Sequence, residues 1–163
     1  MSLKFRKEIA IDGPLEQVSE LLADEDFRRR VAERAGADAI ETGRSEHAGG
    51  VVEATVDFRQ QVDGLPGPLG RVVGSEVHVK QIETWTATDR AKLEVQIPGK
   101  PGHIRGTIAL RQEGTATIQR VEAEIKVSVP LLGGQIETLL GRILGHVLKV
   151  QREVANETFA TGS

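Results

Sequence analysis

The sequence predicts a single α+β domain over residues 1–163: a curved antiparallel sheet of six to seven strands around a long C-terminal helix, with two short helices after the first strand. Three observations carry this reading. The middle of the chain is a succession of alternating apolar and polar runs joined by short turns, as in a meander with one buried face. Residues 134–159 gather Ile136, Leu139, Leu140, Ile143, Leu144, Val147, Leu148, Val150 and Val154 on about half of a helical wheel. The length, 163 residues, suits one domain with a substantial core.

Residues 3–11 set Leu3, Phe5, Ile9 and Ile11 on one parity and Lys4, Arg6 and Glu8 on the other, which reads as a half-buried strand. Asp12-Gly13-Pro14 ends it, with Asp12 a candidate helix cap and Pro14 suited to a first helical position. Leu15, Val18, Leu21 and Leu22, then Phe27, Val31 and Ala35, recur at helical spacing, giving two short helices that stop at Gly36. Residues 38–47 form a weak strand, and Gly49-Gly50 a hairpin turn. Residues 51–62 form a strong strand with Val52, Ala54, Val56 and Phe58 on the inner face. "DGLPGPLG" (63–70) reads as a Pro/Gly loop in a position to flank a pocket entrance. Strands follow at 72–87, with Val73, Val77 and Val79 in phase, and at 91–97, 103–112 and 115–129. Pro130 then ends the last strand, and Gly133-Gly134 turns the chain into the final helix.

Several function classes are excluded or disfavoured. Net charge is −3 and the charged residues are of both signs, without a basic block, and the four Phe and one Trp are scattered, so no nucleic-acid partner is expected. The absence of cysteine removes thiolate nucleophiles, disulfides and Cys-based metal sites. His47, His78, His103 and His146 fall one per element with no i, i+2 or i, i+4 pair, so neither a metal site nor a cofactor is expected. There is no Gly-x-Ser-x-Gly elbow. A phosphate loop at Gly133-Gly134 would need Lys-Ser or Lys-Thr after it; here Gln135, Ile136 and Glu137 follow, and Glu137, expected in the first turn of the helix, suits its dipole but would repel a phosphate. No stretch approaches the roughly 20 apolar residues of a membrane span, and Gln151 interrupts the apolar face of the last helix, which argues against a surface anchor. The opening residues alternate and lack the apolar core of a secretory signal, so a cytoplasmic location is the expectation.

Polar residues on an inner parity are the informative ones, because an unpaired buried polar group costs about 1–3 kcal/mol. Lys7 shares parity with Phe5 and Ile9, Gln60 with Phe58, and Gln119 with Val121. If the odd parity of 73–79 continues, Gln81, Glu83 and Trp85 point inward, whereas a bulge near Ile82 would turn them out. Lys7 with Glu83 is then a candidate internal ion pair, or equally a general acid/base pair. Gly141 and Gly145, four apart on the last helix, are expected to permit close packing of the two short helices, the alternative being room at a cavity mouth.

The order of strand, two short helices, antiparallel strands and long helix resembles the helix-grip fold of the START/SRPBCC superfamily, which includes birch-pollen-allergen and polyketide-cyclase-like proteins. More narrowly, the opening "LKFRKEIAIDGPLEQVSELLAD" and the segment "VPLLGGQIE" resemble a branch of that superfamily described only as a domain of unknown function. The resemblance implies a mostly apolar cavity between sheet and C-terminal helix that binds a hydrophobic small molecule, a lipid or polyketide-like compound. Expected to line it are Phe58, Val77, Trp85, Ile108, Val127, Leu140, Leu144 and Val147, with Lys7, Glu83 and Gln119 as polar candidates. Two other functions fit the same resemblance: a cyclase/dehydratase-type enzyme using an inward carboxylate, and a protein-interaction module with a filled cavity. The scarcity of aromatics disfavours a large stacking ligand such as a flavin. No motif specifies ligand identity or oligomeric state.

Overall fold

The computed structural model describes residues 2–161. Its elements in chain order are β1 (Leu3–Ile11), α1 (Leu15–Leu22), α2 (Glu25–Arg34), β2 (Ala37–Glu46), β3 (Val52–Gln61), α3 (Gly67–Val73), β4 (Glu76–Ala87), β5 (Arg90–Gln96), β6 (Gly102–Glu113), β7 (Ala116–Val127) and α4 (Gly133–Thr161). The strands form one seven-stranded antiparallel sheet in the order β1-β7-β6-β5-β4-β3-β2. From β2 to β7 each strand pairs with the next. β7 then pairs with β1, setting Leu3 opposite Ile125 and Ile11 opposite Thr117. The two edge strands are thus β1 and β2, and α1 with α2 carries the chain from one edge to the other.

The inner parities of the strands and the apolar stripe of α4 make one core, which includes Phe58, Val79, Val95, Ile108, Val121, Leu140, Leu144 and Val154. This is the helix-grip architecture expected from the sequence. β4 alternates without interruption as far as Trp85, and its irregularity comes only between Trp85 and Ala87. Gln81, Glu83 and Trp85 therefore all point inward and are buried. Where β6 meets β7, Gly106 lies so close to its partner strand that a Cβ there would collide with the Glu122 carbonyl oxygen and with Ala123.

Four local expectations are corrected. Residues 67–73 are a helix, so Val72 and Val73 leave the strand and β4 begins at Glu76. The reason lies in the i, i+4 pair Leu69 and Val73, both buried, with Pro68 in the first turn and Gly74 at φ 82° ending the helix. Asp12 does not cap α1: the cap position is Pro14, without a side-chain bond, and the Leu15 amide donates instead to Gln112 Oε1 on β6 at 2.7 Å. α4 begins at Gly133, which puts Glu137 beyond its first turn; the side chain is buried and its Oε2 accepts the Val127 amide at 2.9 Å, closing the end of β7. Gly141 and Gly145 face β1 and β7 rather than the short helices, for a Cβ on Gly141 would lie 3.4 Å from Leu3 Cδ2 and 3.6 Å from Ile125 Cδ1.

Candidate functional site

Three small, mostly apolar voids run in a row between α4 and the sheet. The first, about 30 Å³, lies at the start of α4 under α3 and the β5–β6 connection, with Val73, Val77, Lys100, Val127, Ile136 and Leu140 in its walls. The next along the helix, about 20 Å³, lies among Val79, Val95, Ile104, Leu140, Leu144 and Val147. The last, about 20 Å³, reaches α2 and is lined by Phe27, Arg28, Phe58, Gln81, Val147 and Gln151. Neighbouring voids share walls: Ile97 and Leu140 separate the first pair, and Phe58, Gln81 and Val147 the second. Each holds one or two water-sized groups.

The polar end of this row is built from α2 and β4. Asp24 caps α2 by accepting the Phe27 amide at 2.9 Å, and Arg28 follows one turn into the helix. Arg28 is 6 % exposed and Glu83 is 2 % exposed. Arg28 Nη2 lies 3.0 Å from Glu83 Oε2, and Nη1 donates to the Leu22 carbonyl at 3.1 Å. Gln81 Nε2 donates to the same Oε2 at 2.7 Å, and Trp85 Nε1 donates to Oε1 at 3.3 Å. Both carboxylate oxygens are therefore engaged. Arg28 Nε has no acceptor, a loss of about 1–3 kcal/mol for a buried donor.

The sequence pairs Glu83 with Lys7; the structure pairs it with Arg28. β1 and β4 are separated in the sheet by β7, β6 and β5, four strand spacings or roughly 19 Å. Lys7, half-buried, instead donates from Nζ to the Gly145 carbonyl at 3.2 Å. Of the other expected site residues, Phe58, Val77, Val127, Leu140, Leu144 and Val147 come together on the void walls. Trp85 borders a separate open groove of about 300 Å³ with Glu16, Glu20 and Arg44. Ile108, Gln119, Lys7 and Glu83 line none of the three voids; Gln119 Oε1 accepts from Gln151 Nε2 on α4.

Arg28 is the residue that sequence reasoning missed, although a signal was present. At 100° per residue it falls between Ala35 and Ala32 on the apolar side of α2, whereas Arg29 and Arg30 do not. The histidines are peripheral: His78 Nε2 is 2.7 Å from Asp57 Oδ1 on the outer face, and His146 Nε2 is 3.2 Å from the Ala35 carbonyl. Among the described residues no three His, Cys, Asp or Glu side chains are grouped to hold a metal ion, and no helix is long and apolar enough to cross a membrane.

Similar folds occur in solved structures. The protein TTHA0849 from Thermus thermophilus superposes with a TM-score of 0.68 at 18 % identity, covering 99 % of this chain and 100 % of that one. A START superfamily protein from Mycobacterium smegmatis gives 0.65 at 12 % identity, over 94 % and 97 % of the two chains. The di-domain ARO/CYC StfQ from the steffimycin biosynthetic pathway gives 0.63 at 13 % identity, over 99 % of this chain and 53 % of that one. At such identities the likeness is one of fold. In sequence, an uncharacterized protein of Mycobacterium tuberculosis (strain ATCC 25618 / H37Rv) is 23 % identical, over 93 % of this chain and 94 % of that protein. Residues 7–158, from the middle of β1 almost to the end of α4, match the family described as protein of unknown function DUF2505, and with that match the chain belongs to this family on a START-type helix-grip scaffold.

Proposed function

We propose that this domain binds one elongated, mostly apolar small molecule, a lipid or polyketide-like compound, in the slot between the sheet and α4. The observation that carries the reading is the row of voids with shared walls. The partitions are the side chains of Ile97, Leu140, Phe58, Gln81 and Val147, and rotamer changes in these would join the voids into one channel along the helix. A mostly apolar cleft with a few polar groups at one end is the usual form of a small-molecule site. The shared fold with a START superfamily protein and with an ARO/CYC protein supports the same reading at the level of scaffold.

In this reading the ligand enters at the first void. Its roof is α3, a helix of 7 residues, tied to the β5–β6 connection by Lys100 Nζ donating to the Val72 carbonyl at 2.7 Å. Binding is favoured over proton-transfer catalysis because both buried carboxylates are already engaged: Glu83 accepts from Arg28, Gln81 and Trp85, and Glu137 accepts the Val127 amide. The test is native mass spectrometry of gently purified protein beside a denatured run of the same sample. The expected result is an added mass that denaturation removes. A clean protein mass, unchanged after incubation with a fatty-acid and sterol extract, overturns the proposal.

A further inference from the structure

Given the binding reading above, we infer that the α2 end of the slot recognises a neutral carbonyl oxygen, as in a ketone, ester or amide, through Arg28 Nε, and discriminates against a free carboxylate. Two observations meet here. Arg28 lines the innermost void, and its Nε is a buried donor without an acceptor, while both terminal nitrogens are used by Glu83 and by the Leu22 carbonyl. The void that Arg28 lines, about 20 Å³, has the room of one oxygen-sized group. The other polar side chains in its walls, Gln81 and Gln151, are neutral.

Charge decides between the acceptors. Among the described residues Arg28 is the one buried cation, and Glu83 already balances it. A ligand carboxylate would add a second anion beside Glu83 with no further cation to offset it, and burial penalises such a charge heavily. A carbonyl oxygen accepts the Nε–H and brings neither charge nor a proton that needs its own partner.

Methyl laurate, laurate and dodecane are suitable probes, offering an ester, a carboxylate and no acceptor on similar chains. Each is titrated against the full chain and against Arg28→Lys, which keeps a cation for Glu83 but lacks the Nε donor. The ratio of parent to variant affinity for each probe cancels the probe's own solubility. The expected result is at least a tenfold loss for methyl laurate in Arg28→Lys, dodecane unchanged within about twofold, and laurate weak in both proteins. Should Arg28→Lys not fold, the paired change Arg28→Met with Glu83→Gln removes both charges and leaves an acceptor for Gln81 and Trp85, and the same pattern is expected. Ester and alkane weakening together, or laurate suffering the largest loss, overturns carbonyl recognition while the slot stands. Failure of both dodecane and methyl laurate to bind the parent overturns the slot and this inference with it.

Discussion

Arg28 and Glu83 meet at 3.0 Å with almost no exposure of either side chain, and so fasten helix α2 to strand β4 inside the core. Removing one member leaves the other buried and unpaired. Glu83→Ala is expected to cost about 3–5 kcal/mol of unfolding free energy by urea titration. The double variant Arg28→Met/Glu83→Gln is expected to recover much of that loss. A double variant as unstable as Glu83→Ala would show that the uncompensated charge is not the cause.

Leu140 stands between the first and middle voids. Leu140→Ala is expected to destabilise the fold by about 2–5 kcal/mol and to merge the two spaces. Thermal unfolding measures the first effect. The second is read by benzene uptake in the variant, seen as a rise in melting temperature that the parent does not share. An unchanged melting temperature with benzene would mean that the neighbouring side chains collapse into the space.

Gly106 has no room for a methyl group, because the obstacle is the backbone of β7 rather than a movable side chain. Gly106→Ala is expected to lose about 1–3 kcal/mol and to speed amide exchange along β6 and β7. Full stability in that variant would mean that the two strands can part locally at little cost.

Glu157 and Arg34 join α4 to α2 at the surface through two hydrogen bonds of 2.8 and 2.9 Å. Those bonds hold the Glu157 carboxyl below its ordinary 4.5. A lowered folded value means that the contribution is complete above pH 4.5 and fades as the pH falls through the folded value. Both groups are exposed, so the effect is small and screened by salt. In a double-mutant cycle on Arg34→Ala and Glu157→Ala, the coupling is expected at neutral pH and low salt and to vanish in strong acid. Coupling that persists in strong acid would contradict an ionic origin.

Leu131, between β7 and α4, is 99 % exposed and holds φ 68°, a left-handed conformation that costs a branched side chain about 1–2 kcal/mol. Leu131→Gly removes this strain and is expected to leave stability equal or slightly raised, since the added freedom of glycine in the unfolded chain offsets part of the gain. A marked loss of stability on thermal unfolding would show that the leucine makes a contact in solution.

The period-two runs and the long helical stripe made the sheet and α4 legible, because each is a repeated signal over many residues. Short elements were harder. α3 hides in a Pro/Gly-rich stretch whose only helical sign is Leu69 with Val73, and Val73 also fits the phase of the following strand. The inward set of β4, Gln81, Glu83 and Trp85, could be read by parity on condition that no bulge fell near Ile82, and the strand keeps its phase as far as Trp85. The partner of Glu83 could not, since parity fixes a side of the sheet and not the separation between strands. Arg28 was obscured by standing in a run of three arginines, a pattern that ordinarily marks a solvated surface.

The pairing of β1 with β7 also bears on how the molecule is made. Strands β2 to β7 are joined neighbour to neighbour and can assemble as local hairpins, while β1 must find a partner that lies far along the chain. At translation rates of about 5–20 residues per second, β1 is held without its partner for on the order of ten seconds. Its final docking completes the sheet and gives Gly145 the Lys7 contact. A nascent or truncated chain in which β1 is occupied elsewhere would present β7 as a bare edge, and aggregation through that edge is the hazard this topology carries during synthesis.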